Sequence, residues 1–196
     1  MVDARARSGR GAEAGPLEIW AWAMYDFANS GYTTVVLTAI FNAYFVAVVA
    51  ADAPWATFAW TAALSLSYAL VIVTAPVIGA YADLRANKKR LLAVSTVGCA
   101  CATAALALAG PGDIATAVIC VIVSNFFFCT GCDLIAAFLP EIARGRDLGK
   151  VSGWGWSLGY VGGLLTLGAC LAYVSRAQAA GQTAAQFVRG PLVIPP

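Results

Sequence analysis

Five long apolar runs, separated by short charged or glycine- and proline-containing breaks, constrain this sequence more than any other feature. A helix needs about 20 mostly apolar residues to cross a bilayer, and within hydrocarbon it satisfies its backbone hydrogen bonds internally. The pattern predicts an all-α polytopic membrane protein with five transmembrane helices. The expected spans cover residues 19–50, 55–82, 91–109, 114–139 and 153–174.

The low charge of the chain argues against a soluble fold. Only 11% of its residues are charged and 61% are hydrophobic, whereas about a quarter of a soluble domain is charged. Five buried helices of a large soluble protein would need polar faces that these runs lack. The net charge of +2 is too small to indicate a nucleic-acid partner. The expected surroundings are therefore a lipid bilayer.

Polar segments flank and separate the apolar runs. Residues 1–18 are basic but lack the pattern of a cleaved signal peptide, so we expect a disordered tail. Residues 175–196 are mixed and polar, and we expect a truncated loop there. Asp52 and Ser152 precede apolar runs and are expected to cap the second and fifth helices.

The distribution of basic residues predicts the topology. All but two of the 12 Lys and Arg residues lie in the N-terminal tail, in residues 85–90 and in residues 144–150, which five spans place on one side. The side rich in Lys and Arg faces the cytoplasm. We therefore expect a cytoplasmic N-terminus, and the charge pattern fits a bacterial inner membrane.

Two carboxylates lie within apolar runs. Asp26 is expected about two helical turns into the first span, and Asp133 about two turns from the inner end of the fourth. An ionised group in hydrocarbon is costly, so such residues usually face a cavity or a partner. Each carboxylate shares a helix face with other polar residues: Asn29, Ser30 and Thr33 with Asp26, and Asn125, Cys129 and Cys132 with Asp133.

Two interpretations of these polar faces stay open. In the first, they line one hydrophilic cavity at a common depth and form solute or proton sites. In the second, they are interfacial caps or polar contacts between helices. For Asp26 both interpretations remain possible, because the first run is longer than a bilayer requires and Asp26 can lie among the lipid headgroups. For Asp133 we favour a functional role, because the fourth run has fewer turns that could lie in the interface.

The sequence offers little for enzymatic chemistry. Histidine is absent, no nucleophile–base pair is recognisable, and we expect neither a metal nor a cofactor. Cys129 and Cys132 form a CxxC pattern, but they lie inside an apolar run, where small packing residues are the more ordinary interpretation. In the fifth run, Gly155, Gly159 and Gly163 recur every four residues, a spacing that favours close helix packing.

The loop after the second run carries a recognisable pattern. Gly79, Asp83 and the basic residues 88–90 resemble the signature that follows the second helix of major facilitator superfamily transporters, with departures at Ala86 and Asn87. Three further segments, residues 22–32, 138–142 and 151–160, look like the branch that includes the autophagy-related vacuolar amino-acid effluxers and their bacterial permease relatives.

This resemblance implies twelve helices in two six-helix halves, of which the chain would supply part of the N-terminal half. It implies alternating access around a central site lined by the first and fourth helices. Gly79, Asp83 and Lys88 would help latch the closed state, and the solute would be an amino acid or a similarly small molecule.

Two hypotheses for function follow. The chain belongs to a small-solute transporter, completed by a missing C-terminal half or a second chain, since one half cannot complete a central site. Alternatively, it is a non-transporting membrane protein, such as a remnant, an assembly factor or an accessory subunit.

Overall fold

The computed structural model describes residues 15–183 and Val188, and over these residues it contains helices and no strands. Five helical units are long and apolar enough to cross a membrane. The prediction of an all-α protein with five transmembrane helices is therefore confirmed. Of the expected disordered tail over residues 1–18, residues 1–14 lie outside the described residues, as do the final residues of the C-terminal tail. Residues 16–18 belong to the first helix, which therefore begins before the predicted end of the tail.

The first apolar run forms one continuous helical unit, Pro16–Val49, which we call the first span. It comprises α1 (Pro16–Tyr32), a π-helical segment (Thr33–Ala39), α2 (Ile40–Tyr44) and a second π-helical segment (Phe45–Val49). The remaining helices are α3 (Ala56–Leu84), α4 (Lys88–Leu106), α5 (Ile114–Ala136), the short α6 (Leu139–Ile142) and α7 (Arg146–Ala179).

The beginnings of two helices differ from the expectation. α7 starts at Arg146 rather than at Gly153 and continues to Ala179, so Ser152 lies inside the helix and does not cap it. Hydropathy missed the first turns because they are charged, and charge there is compatible with a helix: Asp147 lies in the first turn, where the helix dipole favours an acid. Asp52 likewise makes no cap, because α3 begins only at Ala56, after Trp55.

The helices pack in two groups that meet along α5. α1 lies against α7, whereas α5 lies against both α3 and α4. The second half of the first span carries the aromatic part of the core, with the Trp60 ring 6.0 Å from Phe41 and 5.4 Å from Phe45 between centroids. The Tyr44 hydroxyl donates to the Ala109 carbonyl over 3.2 Å, which ties the first span to the turn that follows α4.

Glycines of α7 set the distance between α1 and α7. A Cβ atom added to Gly155 would meet the Trp22 ring, one on Gly159 would meet the Asp26 carboxylate, and one on Gly163 would lie 2.9 Å from Thr34 Oγ1. The closest approach occurs at Gly162, where an added Cβ would overlap the Phe27 carbonyl. Because backbone has less freedom to move than a flexible side chain, Gly162 limits the contact more than the glycines at four-residue spacing.

We expect Gly162→Ala to destabilise the protein by about 1–3 kcal/mol, since the added methyl group overpacks a contact with backbone. Gly168→Ala is the matched control, because nothing lies within 4 Å of a Cβ at that position of the same helix. Alanine favours helix, so this control should be neutral or slightly stabilising. Thermal unfolding in detergent measures both, and equal melting temperatures would contradict the proposed contact.

Candidate functional site

A cavity of about 500 Å³ lies between the first span, α5 and α7. The first span contributes a carboxylate and hydroxyl groups, and α7 contributes aromatic rings and glycines. The lining residues are Asp26, Ser30, Thr33 and Thr34 of the first span, Phe128 of α5, and Trp156, Gly159, Tyr160, Gly163, Leu164 and Leu167 of α7. The structure therefore brings three of the predicted polar residues of the first span, Asp26, Ser30 and Thr33, to one cavity. Thr34, which the sequence analysis did not single out, lines the same cavity.

The glycines of α7 make room for this lining. Gly159 lies directly opposite the Asp26 carboxylate and Ser30 Oγ, and Gly163 lies opposite Thr34. A larger residue at either position would push the polar groups of the first span out of place. The contact that joins the two helices therefore also allows the carboxylate to reach the cavity.

Asp26 is half-buried, and within the described residues no Lys or Arg forms an ion pair with it. The ion pairs in the described part of the chain lie at the helix ends, around Lys88 and Lys150. A carboxylate inside a membrane-spanning segment normally has a partner or a water-filled space. For Asp26 the cavity supplies that space.

Asn29 and Asn125 were predicted as site residues, but they do not line this cavity. Asn29 Nδ2 donates to Cys132 Sγ over 3.4 Å, which joins α1 to α5. Asn125 is fully buried, and its Nδ2 donates to Ser67 Oγ over 3.1 Å, which joins α5 to α3. Both amides therefore act in contacts between helices, the second of the two interpretations left open by the sequence.

Cys129 and Cys132, the cysteines of the CxxC pattern, contact these two amides, Cys129 within α5 and Cys132 between α5 and α1. Cys129 Sγ lies 3.9 Å from Asn125 Oδ1, to which it donates, and Cys132 accepts from Asn29. Both thiols are free. Within the part of the chain that the structure describes, no three His, Cys, Asp or Glu side chains are grouped closely enough to hold a metal ion.

Asp133 lies in a different place from Asp26. It lines a small pocket of about 70 Å³, whose other residues include Gly79, Asp83 and Lys88. The two carboxylates therefore line different pockets, and the interpretation in which both line one cavity does not describe this structure. The physical reason is the rotation of α5, which directs position 133 toward the end of α3 and leaves Phe128 as the contribution of α5 to the larger cavity.

Lys88 connects this pocket to the loop after α5. Its Nζ lies 2.9 Å from Asp83 Oδ1 and 2.8 Å from Glu141 Oε1, and its side chain is only 18% exposed. Asp83 lies in the last turn of α3, Lys88 begins α4 and Glu141 lies in α6. One ammonium group therefore holds three helix ends together. Sequence reasoning missed Glu141, although Pro140-Glu141 directly follows the fourth apolar run.

Comparison with known proteins shows which transporters this chain resembles. Residues 56–149 match the family of vacuole effluxer Atg22-like proteins. The chain is also similar to an uncharacterized MFS-type transporter, YxiO, of Bacillus subtilis strain 168, with 26% identity over 162 residues that cover 81% of this chain and 38% of the relative. The chain thus spans well under half of the length of this curated relative. No solved structure matches this chain.

The chain is related to the major facilitator superfamily. The resemblance drawn from the sequence is thereby confirmed, and these relatives support a transport function in general terms. They are transporters rather than enzymes. The match to the Atg22-like family contains Asp83, Lys88, Asp133 and Glu141, so it covers the whole ion-paired loop of this MFS-related chain. It does not reach Asp26 or the α7 wall of the cavity.

A double-mutant cycle tests the ion pair between Lys88 and Glu141. We expect Lys88→Met and Glu141→Gln to be coupled by about 0.5–1 kcal/mol in unfolding free energy, because both groups are held at short distance on different helices. The coupling should shrink as salt is added, because the Glu141 side chain is 55% exposed to solvent.

The matched control is Lys150 with Asp147, an exposed pair within α7 at 3.5 Å, for which the same cycle should give a smaller coupling. If the two cycles give equal couplings, the contact at Lys88 does not join the helix ends.

Proposed function

We propose that the protein moves a small solute across the membrane by MFS-type alternating access, and that the cavity beside Asp26 forms part of the solute route. One observation carries the proposal: a carboxylate without a described basic partner faces an open space between membrane-spanning helices. Placing such a group in a packed helix contact would be costly. The transporters related to the chain add independent support.

The size and lining of the cavity favour a small polar solute. About 500 Å³ lies within the range of pockets that hold small organic molecules. The first-span wall is polar, whereas Trp156, Tyr160 and Leu164 make the opposite wall largely apolar. A molecule with one charged end and an apolar body fits this division, which agrees with the amino acids implied by the family resemblance.

The loop at the ends of α3 and α4 is proposed to hold one state of the transporter closed. The ammonium group of Lys88 binds carboxylates of two other helices, so the contact breaks if α3, α4 and α6 separate. Gly79 and Asp133 line the pocket beneath it. We therefore assign Asp133 a role in coupling movement of this loop to transport, and not in contacting solute within the Asp26 cavity.

The proposed setting is a bacterial inner membrane with a cytoplasmic N-terminus. The Lys88 contact would then lie on the cytoplasmic side, because residues 85–90 carry four basic side chains. Arg5, Arg7 and Arg10, which also carry this argument, lie outside the described residues. A tag cleaved or labelled from only one side of intact cells tests the orientation; labelling of the N-terminus from outside would overturn it.

Filling the cavity tests the proposed solute route. Thr33 lines the cavity and is exposed, so Thr33→Trp adds bulk there without overpacking a buried contact. We expect uptake of a radiolabelled amino-acid mixture into proteoliposomes to fall by roughly tenfold or more, since a large ring occupies much of the available space. Thr61→Trp, on the exposed face of α3, is the control. Equal uptake by the two variants would remove the cavity from the route.

Changes at the loop should affect the speed of transport more than solute affinity. We expect Asp83→Ala and Asp133→Asn to lower the maximal uptake rate severalfold with little change in the half-saturating concentration, because neither residue lines the larger cavity. Uptake measured over a range of solute concentrations separates the two quantities. An unaltered rate with weakened affinity would contradict the assignment for that residue.

A further inference from the structure

Two of the three hydroxyl groups on the first-span wall of the cavity, those of Ser30 and Thr34, can only accept hydrogen bonds from a solute. Ser30 Oγ donates its hydrogen to the Asp26 carbonyl over 2.8 Å, and Thr34 Oγ1 donates its hydrogen to the Ser30 carbonyl over 3.0 Å. A hydroxyl group has one hydrogen to donate and two lone pairs. Both oxygens therefore face the cavity with only lone pairs available.

The Asp26 carboxylate extends this acceptor wall. When ionised, a carboxylate accepts hydrogen bonds and donates none. Its neighbour across the helix contact is Gly159, which has no side chain to satisfy it, and no described Lys or Arg is paired with it. The wall therefore carries a negative charge and several acceptors, and the described residues that line it include no cation that could neutralise an anionic solute.

The opposite wall provides aromatic surface. Trp156 and Tyr160 of α7 both line the cavity, and their ring centroids are 6.1 Å apart. Indole and phenol rings attract cations through their electron-rich faces, and Trp does so most strongly. A carboxylate on one wall and aromatic rings on the other form an environment suited to a positively charged group that also donates hydrogen bonds.

We propose that the cavity binds the ammonium group of an organic solute, with Asp26 as its counter-ion, Ser30 and Thr34 as acceptors of its N–H groups, and Trp156 as an aromatic wall. The proposal rests on the solute route proposed above and specifies the chemical group that this part of the route selects. Because no cation is found among the described lining residues, binding here depends on the ammonium group and does not require a solute carboxylate.

Three probes that share the same branched alkyl chain separate the contribution of the ammonium group from that of a carboxylate. Leucine carries both an ammonium and a carboxylate group, isopentylamine lacks the carboxylate, and 4-methylpentanoate lacks the ammonium group. We expect the full-length protein in detergent to bind leucine and isopentylamine in calorimetry and to bind 4-methylpentanoate more weakly by about tenfold or more, because the carboxylate probe cannot pair with Asp26. Binding of 4-methylpentanoate equal to that of isopentylamine would overturn the proposal.

Variants locate the site. Asp26→Asn should weaken isopentylamine binding by roughly 10- to 100-fold, in line with the loss of a charge-assisted hydrogen bond, and should leave the binding of 4-methylpentanoate unchanged. Trp156→Leu should weaken isopentylamine binding by about three- to tenfold. The matched controls are Trp154→Leu, two positions away and outside this cavity, and Asp147→Asn at the start of α7. Both should bind as the unmodified protein does.

Since the Asp26 side chain has no hydrogen-bond partner among the described residues, Asp26→Asn is expected to keep its melting temperature, which excludes misfolding as the cause of lost binding. If Asp26→Asn binds isopentylamine normally, the ammonium site is not at Asp26 and the inference fails. The Thr33→Trp experiment remains a separate test: uptake that is blocked there but insensitive to Asp26→Asn retains the solute route and rejects its selectivity for ammonium.

Discussion

The close contact between α1 and α7 is the interaction on which the arrangement of polar groups in this protein depends. In a membrane, helices gain little from burying apolar surface against each other, so they associate through close packing of small residues and through hydrogen bonds. Here Gly162 lets α7 approach the Phe27 backbone, and Gly159 leaves space for the Asp26 carboxylate. The same approach therefore holds the helices together and opens the acceptor-lined wall of the cavity.

Polar residues in the spans serve three separate purposes. Asn125 and Ser67 join α5 to α3 within the packed interior, where every amide hydrogen bond must be made by protein. Asp26 faces a space large enough for a solute. Lys88 joins helix ends at the membrane edge, where two carboxylates share one ammonium group. The role of a polar residue in a membrane helix therefore depends on which groups of the neighbouring helices lie opposite it.

Some of these roles follow from local sequence. Five apolar runs of sufficient length predict five spanning helices because backbone hydrogen bonding in lipid leaves no alternative within one segment. The Gly79–Asp83 pattern and the basic residues after it indicate the loop that the family comparison also covers. Other features needed partners from distant segments. Glu141 became recognisable as a partner of Lys88 only when α6 and the start of α4 were placed side by side.

The sequence by itself determined the membrane-spanning helices, the superfamily relationship and the presence of two carboxylates in apolar surroundings, because hydropathy and local motifs are properties of single segments. Only the tertiary structure decided that Asp26 and Asp133 belong to different spaces, that Asn29 and Asn125 join helices, and that Gly162 limits the approach of α7. The physical reason is helix rotation. The α-helical period of 3.6 residues per turn determines which residues share a face, whereas contacts with other helices determine the direction in which that face points.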